Sequence, residues 1–338
     1  MLTSVTESLI DKEIPKGVIT LRRLGVLGLF LLFMDVSSAW AQNPRHLSIA
    51  AGSPAGVYYP LAKRMAEVLS RDMVQVEVTA EVTSGSVENC QLMGDKKADL
   101  GFVPAEVGWE AYQGKGRFKQ KIPLRTVVVL YPNTMHIVTR GSTEIEKVAD
   151  LRGKRISTGT PGSGTETKSL RILESYGVDP DKDTERNKLG AVKSAGALRE
   201  GEIDAYFWDG GLPAASVMDL ASSPGLKIRL VPHGEAVPKM RQKYGHFYVS
   251  GIIPANTYPG QNGDVSVAVV WNLLVCSQQM NDELIFGIVK TLFDHRPELV
   301  PLYGLTKLLT LESQREGSPI PFHPGAIRYF REKGLEVR

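Results

Sequence analysis

Cysteine is almost missing from this chain: there are two among 338 residues, Cys90 and Cys276. A small disulfide-stapled scaffold is therefore excluded. Cys90 follows Glu88-Asn89 in an expected helix and Cys276 ends the apolar run Val267 to Val275; far apart in sequence, both read as small buried hydrophobes. Basic blocks are missing as well. With 40 Lys and Arg against 37 Asp and Glu the net charge is +3, too dilute to neutralise a run of phosphates, so nucleic acid is not an expected partner. The six histidines, His46, His136, His233, His246, His295 and His323, include no pair at i and i+4 and no Cys/His cluster. No dedicated metal site is expected. What is present is ordinary for a globular protein: 42% hydrophobic and 23% charged residues, enough for one large or two modest cores.

The first forty residues read as a leader rather than as part of the fold. Arg22 and Arg23 precede the apolar stretch Leu24 to Met34, and Ala39-Trp40-Ala41 supplies a small-x-small cleavage site. Eleven apolar residues fall short of the roughly 20 that cross a bilayer as a helix. A cleaved signal peptide over residues 1–41 and a periplasmic destination are the expectation, with an uncleaved anchor as the alternative. Glu7, Asp11 and Glu13 before the arginines are unusual in such a leader and leave the true translation start open. No cysteine follows the cleavage site, which disfavours a lipid anchor.

Two stretches of the remaining chain repeat one order of elements. Strand Leu47 to Ala50, a Gly-rich loop, an amphipathic helix Val57 to Ser70 with Leu61, Met65, Val68 and Leu69 on one face, strand Gln75 to Val82, a helix from Ser86, and strand Asp99 to Val103 make the first copy. Strand Arg155 to Thr158, loop Gly159 to Gly164, helix Thr165 to Tyr176, a weak strand near Leu189, a helix Ser194 to Arg199 and strand Ile203 to Trp208 make the second. The copies close alike, with Ala98-Asp99-Leu100-Gly101-Phe102 matched by Ile203-Asp204-Ala205-Tyr206-Phe207. Strands alternating with helices imply parallel sheets, hence two α/β lobes, with Val127 to Val138 and Tyr248 to Tyr258 as crossings between them. One continuous doubly wound sheet is the competing arrangement. The helices Asn281 to Phe293 and Pro324 to Gly334 are expected to return to the first lobe.

In open α/β sheets ligands bind beyond the carboxyl ends of the strands, where helix N-termini present unpaired N–H groups. Here those loops are Gly52-Ser53-Pro54-Ala55-Gly56, Thr83-Ser84-Gly85-Ser86 and Thr160-Pro161-Gly162-Ser163-Gly164-Thr165. Glycines such as Gly85, Gly162 and Gly164 let the backbone approach a ligand, and the hydroxyls add donors without bulk. The chemistry suits a small carboxylate. Against this, Ser163 with Glu166 is also an ordinary capping box, and Ser86 is also a plausible helix cap. Tyr58, Tyr59, Tyr131, Phe207 and Trp208 are candidate walls. Asp209, before Gly210-Gly211, reads either as a partner for a ligand ammonium or as a solvated loop carboxylate.

Catalytic readings fare worse. The loop Gly159 to Gly164 has phosphate-loop glycine spacing, but Thr165-Glu166 stands where Lys and Ser/Thr are needed, so it is not a nucleotide site. Neither a nucleophile elbow nor a cysteine nucleophile is recognisable, and His136 in an expected crossing strand reads as a packed or rim residue rather than a base. No cofactor is expected.

Several runs together resemble the solute-binding proteins of the TAXI class of tripartite ATP-independent periplasmic (TRAP) transporters. They include Gly56-Val57-Tyr58-Tyr59-Pro60, Thr83-Ser84-Gly85-Ser86-Val87-Glu88-Asn89, Ala98-Asp99-Leu100-Gly101-Phe102-Val103, Pro161-Gly162-Ser163-Gly164-Thr165-Glu166, Gly210-Gly211-Leu212-Pro213 and Pro321-Phe322-His323-Pro324-Gly325-Ala326. The resemblance spans Leu47 to about Gly334. It implies a two-lobed periplasmic binding protein of type II kind, hinged between α/β lobes. Residues 42–135 would form the first part of lobe 1, 136–252 lobe 2, and 253–338 the hinge return and the rest of lobe 1. It also implies capture of a small organic acid or amino acid, often glutamate-like, and delivery to integral membrane subunits. Ligand contact carries over to Ser53, Tyr58, Ser84, Ser86, Asn89, Ser163 and Thr165, and to Asp209 and Gly210. The first loop and Trp208-Asp209 depart from the family's usual residues, which leaves the solute's identity open. A sensory binding protein or an extracytoplasmic enzyme on the same fold are the competing functions.

Overall fold

The computed structural model describes residues 44–54, 56–299, 309–315 and 318–338. The expected signal peptide, residues 1–41, lies outside them. The first repeat forms β1 (Arg45–Ala50), α1 (Tyr58–Asp72), β2 (Val76–Glu81), α2 (Ser86–Gly94) and β3 (Leu100–Pro104). As the periodicity predicts, α1 buries Leu61, Met65, Val68 and Leu69. A helix that the sequence reading does not anticipate, α3 (Ala105–Gln113), runs straight on from β3. Next comes β4 (Leu124–Arg140), a single strand of 17 residues. The second repeat supplies β5 (Arg155–Ser157), α4 (Gly164–Ser175), β6 (Glu185–Asn187), α5 (Ala191–Glu200) and β7 (Ala205–Gly210). The chain continues through α6 (Ala215–Ala221), β8 (Ile228–Leu230), α7 (Val237–Tyr244), β9 (Val249–Ile253), β10 (Val265–Ser277), α8 (Asp282–Asp294), α9 (Arg296–Leu299) and α10 (Pro324–Glu332).

Strand order is β2-β1-β3-β10-β4-β7-β5-β6, with β8 added to β4 and β9 to β10. Each repeat contributes three parallel strands, β2-β1-β3 and β6-β5-β7. Each triplet is closed by one long antiparallel strand: β10 on β3, and β4 on β7. Those two long strands pair with each other in the middle. The result reconciles the two arrangements weighed from sequence. The hydrogen-bond ladder is continuous, yet the fold is two-lobed, because β4 and β10 are long enough to belong to both lobes. At about 3.3 Å per residue β4 reaches roughly 55 Å. Register shifts between Trp271 and Leu273 and between Leu274 and Val275 bend the central ladder where the sheet curls.

The segment Tyr248 to Tyr258, expected to cross, does not; its strand β9 is a five-residue piece against Val265–Val269 of β10. The return strand is β10. An apolar run shows that a strand is buried on both faces but not which neighbours flank it.

The internal duplication extends to single hydrogen bonds. In the first copy Asp99 Oδ2 accepts the Ser48 N–H at 2.9 Å, and in the second Asp204 Oδ2 accepts the Arg155 N–H at 2.8 Å. In both, the aspartate just before the third strand fixes its register on the first. Cys90 and Cys276 are buried and unpaired, and burial pushes both thiols up. α8 begins on an Asn281 cap whose Oδ1 accepts the Leu284 N–H. α10 begins on His323, and Phe322 just before it bridges Thr126 at the start of β4, so these helices do return to the first half.

Candidate ligand-binding site

The first turn of a helix has N–H groups without intrahelical acceptors. In this fold α2 from the first half and α4 from the second bring such turns together. A Cβ on Gly85 would lie 3.5 Å from the Ser163 Cα, and one on Gly164 would lie 3.1 Å from the Pro104 Cγ and 3.3 Å from the Ser86 Oγ. The Val87 N–H donates to the Gly162 carbonyl at 3.3 Å. Between these turns and the long strands is a cavity of about 170 Å³, slightly larger than an engineered cavity of about 150 Å³ that admits benzene.

Ten of the twelve residues picked out from the sequence line it: Ser53, Tyr58, Ser84, Gly85, Ser86, Ser163, Gly164, Thr165, Asp209 and Gly210. Tyr131 and Trp208 supply walls, whereas Tyr59 and Phe207 do not. Thr160 of the third loop lines it too, and so do Asn133, Gly190 and Ala191, which the sequence does not point to. Asn133 lies in the middle of a strand, where nothing local marks it.

Asn89 and Gly162 are the exceptions. Asn89 is wholly buried under the site: its Nδ2 donates to the Ala51 and Phe102 carbonyls at 2.7 and 2.8 Å, and its Oδ1 accepts from Thr83 Oγ1 at 2.7 Å. It staples the loop after β1 to the end of β3, and its expected ligand contact is corrected to that role. Gly162 has its N–H on Glu166 Oε2 at 2.9 Å and its carbonyl on Val87, so it joins the halves beside the cavity.

Hydroxyls in the lining divide into engaged and unengaged groups. Ser163 Oγ accepts from the Glu166 N–H and donates to the Thr160 carbonyl, so the capping reading is correct. Ser84 donates to Glu88, which also accepts the Ser84 N–H. Tyr58 donates to Asn272 Oδ1, and burial raises its phenol well above the usual range. Ser86 differs: it is 1% exposed and its Oγ has no partner. A buried hydroxyl without a partner costs about 1–3 kcal/mol, and here it faces a cavity beside two positively polarised helix ends.

Asp209 is neither a solvated loop group nor an unpaired one. It is the penultimate residue of β7, is 7% exposed, and pairs through Oδ1 with the fully buried Lys168 of α4 at 2.5 Å. Its Oδ2 accepts from Asn133 Nδ2 at 3.0 Å. Lys168 also stands 3.7 Å from Glu106 of α3. Both Glu106 carboxylate oxygens lack a hydrogen-bond partner. Burial, with the charge of Asp209, pushes the Glu106 carboxyl up against the pull of Lys168. Further out, Arg171 of α4 pairs with Glu110 of α3, and Arg117 with Glu166 at 2.5 Å. A series of ion pairs thus joins α3 and the turn after it to α4.

His136 is buried outside the lining, with Nδ1 on the Thr134 carbonyl at 2.9 Å and Nε2 on Tyr258 OH at 2.8 Å. The Thr134 carbonyl can only accept, so Nδ1 carries the imidazole proton and Nε2 accepts from Tyr258 OH, whose oxygen in turn accepts the Ala214 N–H. Burial lowers this histidine to about 4. Packing is its role. Among the described residues no group of three His, Cys, Asp or Glu is placed to hold a metal, and no helix is long and apolar enough to cross a membrane.

The sequence profile of the NMT1-like family matches residues 49–334. The chain belongs to that family. Among solved structures it is similar to the periplasmic aliphatic sulphonate-binding protein SsuA from Escherichia coli, at 15% identity and a TM-score of 0.46 over 86% of this chain and 90% of that one. SsuA from Xanthomonas axonopodis pv. citri bound to MOPS gives 18% identity and 0.47, over 87% and 92%. A putative L-cystine ABC transporter protein from Listeria monocytogenes gives 15% and 0.48, over 76% and 94%.

Proposed function

We propose that this NMT1-like protein is the extracytoplasmic solute-binding subunit of a TRAP-type secondary transporter. It would capture a small carboxylate, of the dicarboxylate or acidic amino-acid class, and hand it to integral membrane subunits without altering it. The observation that carries the reading is the cavity enclosed between the N-termini of α2 and α4, with the buried Ser86 hydroxyl unpartnered beside them. Two helix ends from opposite halves on one anion give the ligand more contacts when the halves are together than apart. A ligand shifts a conformational equilibrium only by such a difference. The TRAP assignment rests on the TAXI resemblance of the sequence motifs, as do lobe boundaries at 42–135, 136–252 and 253–338; removal of residues 1–41 by a signal peptidase rests on Arg22-Arg23, the apolar stretch Leu24 to Met34 and the Ala39-Trp40-Ala41 site.

A thermal-shift screen of dicarboxylates and acidic amino acids on the mature protein tests capture. A binder at a hundredfold excess over its Kd stabilises by about 2.7 kcal/mol. Ser86→Ala is expected to diminish that shift. Uptake into vesicles carrying the membrane subunits, driven by an ion gradient with no ATP, tests the transport class. Uptake that requires ATP overturns it.

A further inference from the structure

Asn133, in the middle of β4, is 5% exposed and lines the cavity, and its Oδ1 has no hydrogen-bond partner. Its orientation is fixed, because the partner of its other end is the Asp209 carboxylate, which accepts only; Nδ2 must therefore face Asp209 and Oδ1 must be the oxygen. An acceptor buried against a cavity without a donor asks for one from the ligand. The charge of that donor is set by the same pair. Asp209 is the charged side chain among the described lining residues, and its carboxylate is already matched by Lys168 and Asn133. A ligand ammonium placed here would find no uncompensated carboxylate, and burying an unmatched charge is costly. A hydroxyl meets Asn133 Oδ1 without that penalty.

We propose that Asn133 is a specificity-determining residue, and that the solute selected is a carboxylate bearing a hydroxyl rather than a bare alkyl acid or an amino acid. This inference rests on the carboxylate-capture reading and narrows it.

Matched probes separate the two. Succinate, malate and aspartate share a skeleton and differ at C2 by hydrogen, hydroxyl or ammonium; glutarate, 2-hydroxyglutarate and glutamate do so with one more carbon, and propionate, lactate and alanine with one carboxylate. Calorimetric titration of the mature protein is expected to favour the hydroxy acid at least tenfold over both others in whichever set binds. Equal affinity within a set, or preference for the amino acid, overturns the assignment of Asn133 and leaves capture standing. No binding in any set overturns capture as well. Asn133→Leu should collapse the hydroxyl-to-hydrogen ratio toward one. A ratio unchanged in that variant places the discriminating contact elsewhere.

Discussion

Lys168 donates to Asp209 at 2.5 Å with both side chains closed off from water, although the two lie 41 residues apart. Removing one partner of a buried ion pair strands the other charge, at a cost of about 3–5 kcal/mol. Lys168→Met is therefore expected to lower the urea unfolding free energy by about that much. Asp209→Asn in the same chain should recover part of the loss, because the stranded carboxylate is then gone. Strictly additive losses in the double variant would show that the pair does not act as a unit.

Asn89 gives the opposite profile to a ligand contact. Asn89→Ala leaves the Ala51 and Phe102 carbonyls and the Thr83 hydroxyl without their partner, and unfolding should become easier by about 2–4 kcal/mol. Once folded, the variant should keep its solute affinity within about twofold, because Asn89 does not line the cavity. Chemical denaturation and calorimetry on one preparation separate the two effects; a large affinity loss at unchanged stability would return Asn89 to the site.

The contrast between Asn89 and Asn133 marks what was legible in the sequence. Loops at helix starts announce themselves through glycine and hydroxyl spacing, and ten of the residues read from those loops and their neighbours lie around one cavity. The duplicated order of elements, down to the pairing of Asp99 with Asp204, was visible for the same reason: local pattern repeats. Asn133, Lys168 and Glu106 carry no local mark. Their roles arise from packing α3, α4, β4 and β7 together, and α3 itself follows β3 with no intervening loop to signal a helix. Periodicity likewise shows β10 as buried without showing that it, rather than β9, completes the return.

Stability should fall as the medium is acidified from pH 6.5 toward 4. His136 and His233 are both held at about 4 by burial, below the usual 6.5, and His323 is lowered in the same direction by partial burial. Below pH 6.5 the unfolded chain binds these protons and the folded chain does not, so stability falls with acid. Glu106 acts in reverse, because burial raises its carboxyl above the usual 4.5; the folded state binds the extra proton, and stability declines as pH rises from 4.5 through the folded value. The histidines and the carboxyl therefore oppose each other over the same range. Urea midpoints from pH 4.5 to 7.5 read the sum. Glu106→Gln should steepen the acid limb, because the opposing carboxyl is gone; a limb of unchanged slope would mean that Glu106 titrates alike in the folded and unfolded chains.

Gly164 opens α4 with no room on the side that faces the other half. The Cβ of Gly164→Ala would stand 3.1 Å from Pro104 Cγ and 3.3 Å from Ser86 Oγ, and both neighbours belong to the first half. Overpacking of this kind costs about 1–3 kcal/mol, but here the strain falls on the arrangement in which the halves touch. Separation relieves it. Resistance to urea without ligand should therefore stay level, while solute affinity weakens by about tenfold and the radius of gyration from small-angle scattering increases. An affinity and radius identical to those of the parent protein would mean that the halves accept a methyl group at their closest approach, and that contact between Gly164 and Pro104 does not limit closure.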